Sequence, residues 1–258
     1  MLNPPTSRIA GFDARPVHPF WTEAARASRR RAAAVLVAAI CLDLFAAGAA
    51  FAADTAASAP AAGIEAPATA STGLADFRAA APSSDARRVA DWVMRSGDNR
   101  GMPFVIVDKK GAEVFVFDRR GTLSGATPAL LGLARGDDSS PGIGDRRLSA
   151  IRPDERTTPA GRFVASLGED LASQGILWVD YAAALALHRV RAADTPERRL
   201  ERLAAPSAPG RRITFGCINV PAGFYDRIVR PAFTGTSGVV YILPEVKSLP
   251  EVFPSFAS

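Results

Sequence analysis

Beyond residue 83 the chain alternates short apolar runs with turns rich in Gly, Asp and Pro, a pattern that favours strands over helices. Such runs occupy residues 104–107, 114–117, 162–167, 176–179, 213–215 and 238–243. The first two flank the turn at 108–111 and predict a β-hairpin. The clearest helical spacing spans Ser84 to Arg95, with Ser83 or Ser84 as cap and Gly97 as stop. We therefore predict a mostly β domain with a few short helices.

Three further segments complete this prediction. Residues 194–204 predict a helix that begins at Asp194 and has Leu200 and Leu203 on one face. Residues 221–229 predict another short helix. Residues 136–153 are rich in Gly, Asp, Ser and Arg and predict a long surface loop. Its Pro-Gly-Ile-Gly segment (141–144) resembles no phosphate-binding motif, because no Lys-Ser/Thr pair and no helix follow it.

The N-terminal part of the chain differs from the rest in composition. Three arginines (29–31) precede an apolar run over 32–51, and small residues follow. This order is typical of a secretory signal, and Asp43 argues against an uncleaved membrane anchor. Residues 54–82 are almost all small residues and proline, which predicts a flexible linker. We expect a signal peptide or anchor at 1–53, a linker at 54–82 and an exported domain at 83–258, in the periplasm or cell envelope. Only the N-terminal segment would contact a membrane.

The positive charge does not indicate a nucleic-acid partner. The pI is about 9.7 and the net charge is +5. Residues 1–53 contribute +3 of this net charge, because they contain six arginines and three acidic residues. Beyond them the arginines are scattered among acidic residues, and no basic stripe is visible. Nucleic-acid binding requires such a cluster, so this class is set aside.

Beyond residue 53 the chain has one cysteine, Cys217, and one histidine, His188. An internal disulfide is therefore impossible there. Cys217 follows the flexible Gly216, which suits a nucleophile on a sharp turn, but a buried apolar cysteine is an equal alternative. His188 taken alone fits a core histidine better than a catalytic base. One cysteine and one histidine cannot make a zinc site, so no metal is expected.

Three segments together resemble the catalytic domains of L,D-transpeptidases. Residues 157–163 (TTPAGRF) resemble a TPxGxF segment of that family, and His188 resembles the first histidine of its active-site motif. Residues 214–219 (TFGCIN) resemble the second half of that motif. The resemblance covers about residues 103–244. It implies a β-sandwich-like catalytic fold.

The resemblance implies cysteine acyl transfer on peptidoglycan stem peptides, without a cofactor. Cys217 would be the nucleophile and His188 the base, oriented by the backbone carbonyl of Arg189. The N–H groups of Gly216 and Cys217 would stabilise the oxyanion. Thr214 and Asn219 would support the motif or the substrate.

Two departures from the family pattern keep two other functions open. Phe215 stands where the family has a second histidine, and the 29 positions between His188 and Cys217 exceed the family spacing. A hydrolase on the same scaffold, such as an L,D-carboxypeptidase or endopeptidase, is one alternative. A non-catalytic wall-binding module is the other.

Overall fold

The computed structural model describes residues 73–170, 172–191 and 198–257. The predicted signal at 1–53, the linker up to residue 72 and the first residues of the helix predicted from Asp194 lie outside the described residues. No helix in the described part of the chain is both long and apolar enough to span a membrane.

The described residues contain short strands and shorter helices. The strands are β1 (Phe104–Asp108), β2 (Glu113–Phe117), β3 (Leu123–Pro128), β4 (Leu131–Gly132), β5 (Gly161–Glu169), β6 (Gly175–Asp180), β7 (Leu185–Arg189), β8 (Arg212–Thr214), β9 (Ile218–Val220) and β10 (Gly238–Ile242). The helices are α1 (Ser84–Ser96), α2 (Arg199–Leu203), α3 (Ala222–Phe224), which continues through a π-helical turn (Tyr225–Val229) into α4 (Arg230–Phe233), and α5 (Leu249–Val252). Five 3₁₀ turns occupy Ile143–Asp145, Leu148–Ala150, Pro153–Glu155, Ala208–Arg211 and Pro254–Ala257. The prediction of a mostly β fold with a few short helices is confirmed.

Eight strands form one sheet in the order β3-β2-β1-β10-β5-β6-β7-β9. The β1–β10 and β7–β9 pairs are parallel, and the other neighbours are antiparallel. Strands β4 and β8 form a separate parallel pair. Two backbone hydrogen bonds between Leu130 and Asn219, of 2.8 and 2.9 Å, join the segment before β4 to the edge strand β9.

The period-2 alternation of the strands builds two cores. Val105 and Val107 of β1 belong to one cluster, together with apolar residues of β2, β5, β6, β7, β9 and β10. Because β2, next to one end of the sheet, shares this cluster with β9 at the other end, the sheet curls around it. Phe104 and Ile106 point to the opposite face and pack with helix α1. Strands buried on both faces form continuous apolar runs, as residues 104–107 of β1 show.

Helix α1 agrees with its prediction at both ends. The Ser83 hydroxyl accepts a hydrogen bond from the Ala86 N–H at 3.1 Å, and Gly97 ends the helix with a positive φ of 67°. Its buried face includes Val89 and Trp92. The cap satisfies a backbone donor that the helix itself leaves unpaired.

The packed part of the chain begins before the predicted domain start at residue 83. Phe77 is buried and contacts the rings of Phe115 and Phe117 edge-on, at 5.5 and 5.0 Å between centroids. The Ala75 N–H donates to the carboxylate of Asp91 at 3.0 Å. Residues 75–77 thus belong to the second core, because a single aromatic side chain buries enough area to anchor a segment poor in other apolar residues.

Two other segments differ from their predictions. Residues 136–153 are not a plain surface loop, because Ile143 and Ile151 are buried and Asp137 is an internal polar residue. In the described part of the helix predicted from Asp194, Leu203 is buried whereas Leu200 is 53% exposed. These two leucines therefore do not share a buried face.

Candidate active site

The candidate site lies on one face of strands β6, β7 and β9. Leu187 of β7 and Ile218 of β9 point into the first core. By alternation, His188 and Asn219 lie on the opposite face, and the parallel register places them side by side. Cys217, just before β9, packs against Ile176, Trp178 and Ala186 on that same face. Parallel pairing of β7 with β9 thus brings His188 and Cys217 to the same site, although they are 29 positions apart in the sequence.

The turn that carries Cys217 requires a glycine at position 216. Gly216 has a φ of 135°, and a β-carbon there would lie 2.7 Å from the Thr157 carbonyl oxygen. The Thr214 hydroxyl accepts from the Gly216 N–H at 3.1 Å and donates to the Cys217 carbonyl at 2.7 Å. An L side chain would be strained by the backbone angle and would collide with the neighbouring segment. Gly216 and Thr214 therefore fix the shape of this turn.

Thr158, from the segment that resembles TPxGxF, supports the turn from behind. Its hydroxyl donates to the Gly216 carbonyl at 2.7 Å and accepts from the Gly132 N–H at 2.8 Å. Thr158 is fully buried. One side chain therefore links strand β4 to the turn before Cys217, which gives a physical reason for a threonine at this position.

The hydrogen bonds of His188 define its tautomer. Its Nδ1 lies 2.8 Å from the Arg189 carbonyl oxygen, an acceptor, so Nδ1 carries the proton. Its Nε2 lies 2.9 Å from the Asn219 side-chain nitrogen, which donates to it. The ring is thus neutral, with its lone pair on Nε2. The predicted carbonyl of Arg189 lies where it orients the ring.

Cys217 has a different partner in this structure. Its Sγ donates to the Ala184 carbonyl oxygen at 3.6 Å. Among the described residues, no hydrogen bond joins the thiol to the His188 ring. The two predicted residues therefore line one site, but each is bonded to another group.

The electrostatic environment keeps both groups uncharged near neutral pH. Burial raises the pKa of the Cys217 thiol, while the Ala186 backbone and the positive charges of Arg199 and Arg191 act against that shift. Burial lowers the pKa of His188, and the same two arginines add to this effect. An uncharged thiol beside an uncharged imidazole is the expected resting state.

A cavity of about 420 Å³ opens onto this face. His188, Asn219 and Cys217 line it together with the turn at Thr214, Phe215 and Gly216. The segment at 139–159 and the strands β6 and β7 supply apolar walls, including Ile143, Leu148, Ile151, Ile176 and Trp178. Arg146, Arg191, Arg199 and Asp170 are its charged lining residues. An apolar cavity with a few polar groups around a thiol and an imidazole has the general character of a ligand site.

An arginine lies above the ring of Phe215, the residue that stands where the sequence resemblance leads us to expect a second histidine. The guanidinium carbon of Arg156 lies 3.9 Å from the Phe215 ring centroid. The same guanidinium donates to the Ile151 carbonyl at 3.2 and 3.3 Å. This cation–π contact ties the segment at 151–156 to the turn of Cys217. Phe215 offers no hydrogen-bond donor to the cavity.

The structure reveals one supporting residue that the sequence did not indicate. Lys109, predicted to lie in an ordinary turn, is fully buried. Its ammonium donates to the carbonyl oxygens of Gly136 and Thr158, at 2.5 and 2.9 Å, and to Asp137 at 2.6 Å. Glu245 lies 3.7 Å away and pairs with Arg212.

Asp137 is the main anionic partner in this group. Burial opposes its ionisation, but the Lys109 ammonium and the backbone N–H groups of residues 245–247 keep the pKa of its carboxyl at about 2. We call Lys109, Asp137, Glu245 and Arg212 the lysine network. No local sequence signal indicates it, because its members lie up to 136 positions apart.

Comparison with known proteins yields similarity at the level of structure only. No known family model and no curated protein sequence matches the chain. An L,D-transpeptidase from Xylanimonas cellulosilytica DSM 15894 is similar over 55% of this chain and 60% of its own, with 13% identity and a TM-score of 0.35. The helical cell shape determining protein Pgp2 of Campylobacter jejuni is similar over 65% and 58%, with 13% identity and a TM-score of 0.38.

An L,D-transpeptidase from Mycobacterium tuberculosis H37Rv gives a similar result, with 13% identity, a TM-score of 0.34 and 57% of its length covered. The chain thus spans less than two thirds of each of these three structures. Similarity this low does not bear on activity or on residue roles. Any function assigned to the chain therefore has to rest on its own site.

Proposed function

We propose that this chain is a cysteine acyl transferase acting on peptidoglycan stem peptides, an L,D-transpeptidase that forms cross-links through a thioester. The observation that supports this proposal is the shared cavity of Cys217 and His188, in which the histidine keeps its lone pair on Nε2. A neutral imidazole of this tautomer can accept a proton from a thiol. The motif resemblance at residues 157–163 and 214–219 supplies the substrate class.

In the proposed reaction, His188 Nε2 takes the thiol proton of Cys217, and the resulting thiolate attacks the carbonyl of the L-centre that precedes the terminal D-residue. The tetrahedral intermediate collapses, the peptide bond breaks, and the departing amine takes the proton from the imidazolium. The amine of a second stem peptide then attacks the thioester. Its proton passes through His188 back to the thiolate, so that the free thiol is restored.

The oxyanion would be stabilised by backbone donors at the turn. In the resting structure the Gly216 N–H is engaged by the Thr214 hydroxyl. We therefore assign the first donor role to the Cys217 N–H, with Gly216 contributing only if its bond to Thr214 opens. Preoriented amides of this kind commonly stabilise acyl-transfer intermediates.

The proposal requires one rearrangement. The Asn219 amide must leave His188 Nε2, and the thiol must leave the Ala184 carbonyl, before the two catalytic groups can meet. Each change exchanges one hydrogen bond, which costs about 0.5–1.5 kcal/mol net. A cost of this size is small compared with the binding energy of a peptide ligand.

The test uses the full chain and purified disaccharide-peptide fragments of peptidoglycan. We expect cross-linked dimers in the product spectrum and a thioester adduct on the intact protein. Cys217→Ala should abolish both, whereas Cys41→Ser, which alters the other cysteine of the chain, should preserve both. Dimers formed at the wild-type rate by Cys217→Ala would refute the proposal.

The same experiment separates the alternatives. Products heavier than the substrate by one water, with no dimers, would identify a hydrolase. The bond from Asn219 to His188 Nε2 favours a different second candidate, a non-catalytic wall-binding module, because it occupies the lone pair that the reaction needs. Saturable binding of fragments without product or adduct would identify such a module.

We also propose that the chain acts outside the cytoplasm, in the periplasm or cell envelope, in agreement with the signal-like sequence at 1–53. Fractionation of cells that express the full chain tests this location. Recovery of the chain in the cytoplasmic fraction would contradict it.

A further inference from the structure

The carbonyl that orients His188 belongs to a residue whose side chain is bonded on the other face of the sheet. Arg189 ends β7, and alternation places its side chain on the face of Leu187, opposite to the cavity. Its Nη1 donates to the Gly175 carbonyl at 2.8 Å, and its Nε donates to the Asp226 carboxylate at 3.0 Å. Its Nη2 donates to the same carboxylate oxygen. The guanidinium is therefore bonded at all three of its nitrogens.

Tyr225 completes this contact from the first core. The guanidinium carbon of Arg189 lies 4.4 Å from the centroid of the Tyr225 ring. Tyr225 is fully buried, and its hydroxyl has no hydrogen-bond partner among the residues that the structure describes. A buried hydroxyl without a partner is unfavourable, so the ring is the part of this side chain that contributes here. We call Arg189, Tyr225 and Asp226 the arginine clamp.

The arginine clamp is built from the same continuous segment that carries the thiol. After Cys217 the chain forms β9, in which Val220 pairs with Arg189, and then enters the π-helical turn that begins at Tyr225. Turns of this type are rare and are found frequently at functional sites. The side chain of Asp226 in this turn thus reaches back to the end of β7. One short segment therefore positions the sulfur and also holds the residue that follows the histidine.

We propose that Arg189 is a positioning residue of the candidate site through its side chain, because the arginine clamp holds the carbonyl that accepts the His188 Nδ1 proton. A carbonyl held in this place keeps the proton on Nδ1 and the lone pair on Nε2. Asn219 acts on the same ring from the cavity side. The inference rests on the proposed function only in treating His188 as the base, and it involves no covalent step.

The arginine clamp lies outside the cavity, so it can be altered without changing a surface that a ligand would contact. The described residues that line the cavity do not include Arg189, Tyr225 or Asp226. The ion pair of the clamp is partly exposed, with 26% of the Arg189 side chain and 40% of the Asp226 side chain accessible. Because solvent weakens such a pair, its removal should have a moderate effect.

Nitrogen-15 NMR of the full chain measures the solvent exchange of the His188 Nδ1 proton, with its resonance assigned in a His18→Gln background. Asp226→Ala should accelerate this exchange about twofold to fivefold, the factor expected for loss of a partly exposed ion pair. Asp226→Glu, which keeps the charge, should restore most of the wild-type rate. Asp85→Ala, which removes the surface ion pair with Lys110 on helix α1, is the matched control and should leave the rate unchanged.

Substitutions within the π-helical turn separate the clamp from a general loss of stability. Tyr225→Phe keeps the ring and removes the buried hydroxyl, so it should leave the exchange unchanged without lowering the melting temperature. Tyr225→Leu removes the aromatic face and should accelerate the exchange about twofold. Val229→Ala creates a cavity in the same core, so it should lower the melting temperature and leave the exchange unchanged.

Two results would overturn the inference. One is an unchanged exchange rate of the His188 proton in Asp226→Ala. The other is an equal acceleration in Asp85→Ala or Val229→Ala, because any lost ion pair or any lost packing would then have the same effect as loss of the clamp.

The two proposals fail separately. Cys217→Ala cannot form a thioester, yet the exchange of the His188 proton should depend on Asp226 in that background as well. A chain that forms no cross-links but shows this dependence would contradict the proposed function alone. A chain that forms cross-links while Asp226→Ala leaves the exchange unchanged would contradict the inference alone. Where cross-links form, Asp226→Ala should lower kcat about threefold and leave KM unchanged, since the clamp contacts the base and not the ligand.

Discussion

Two polar networks meet at the turn of Cys217, and they differ in charge and in burial. The lysine network reaches the turn through Thr158, whose carbonyl accepts from Lys109 and whose hydroxyl donates to Gly216. The second network, which we call the histidine network, is formed by Arg199, Asn219 and His188 and reaches the turn through Asn219, two residues after Cys217. The first is made of full charges removed from solvent. The histidine network ends in an uncharged amide and an uncharged imidazole and faces a cavity.

The difference indicates a division of roles. Removing one partner of a buried ion pair costs about 3–5 kcal/mol, because the other charge stays buried without compensation. Exchanging a neutral hydrogen bond costs about 0.5–1.5 kcal/mol. The lysine network therefore fixes the position of the backbone around Cys217. The histidine network can change its partners when a ligand binds.

The largest expected effect comes from breaking the lysine network. Lys109→Met should lower the free energy of unfolding by about 3–5 kcal/mol, because Asp137 would remain buried without its cation, whereas Glu245 keeps Arg212. Urea denaturation measures this change. Lys110→Met is the matched control, since the neighbouring lysine is half-exposed, pairs with Asp85 at the surface, and should have little effect. Equal stability of the two variants would contradict the division of roles.

An intermediate effect is expected from the turn itself. Gly216→Ala should lower the free energy of unfolding by about 1–3 kcal/mol, because of its φ of 135° and the 2.7 Å approach to the Thr157 carbonyl. Urea denaturation again provides the measurement. Gly175→Ala is the control, because Gly175 has no positive φ and open space around its α-carbon. A Gly216→Ala chain as stable as the control would mean that the turn is not rigid.

The fold was largely predictable from the sequence because it follows from alternation. The runs at 104–107 and 114–117 form the expected hairpin, and helix α1 begins at Ser84 and stops at Gly97 as predicted. Residues 136–153 were mispredicted as a surface loop, because Ile143 and Ile151 stand singly among Gly, Asp, Ser and Arg and form no apolar run. Their burial depends on strands far away in the sequence.

The sequence indicated which residues belong to the candidate site, but it did not indicate their hydrogen-bond partners. Chemistry indicated Cys217 and His188, but their meeting depends on the parallel β7–β9 pairing, which no local pattern indicates. The partner of the thiol is a backbone carbonyl, that of Ala184, which any residue could supply. Arg199 gave no signal either, since one arginine among many scattered ones is distinguished only by what its side chain contacts.

The smallest expected effect concerns the charge of the Cys217 thiol in the cavity. It tests whether this site is uncharged at rest, in contrast to the charged lysine network. Burial raises the pKa of the Cys217 thiol, so alkylation by iodoacetamide should have its midpoint above the ordinary cysteine value of about 8.5. The rate is measured against pH by intact mass in a Cys41→Ser background.

Removal of a nearby positive charge should move this midpoint further upward. Arg191→Met is expected to raise it further, because the charge of Arg191 favours the thiolate. Arg202→Met, in helix α2 and bonded to the Gly210 carbonyl, should leave it unchanged. A wild-type midpoint well below pH 8 would mean that a thiolate–imidazolium pair already exists at rest, and the histidine network would then be a charged network like the one around Lys109. A raised midpoint agrees with the proposed function, in which the Cys217 thiol reacts only after the Asn219 amide has left His188 Nε2.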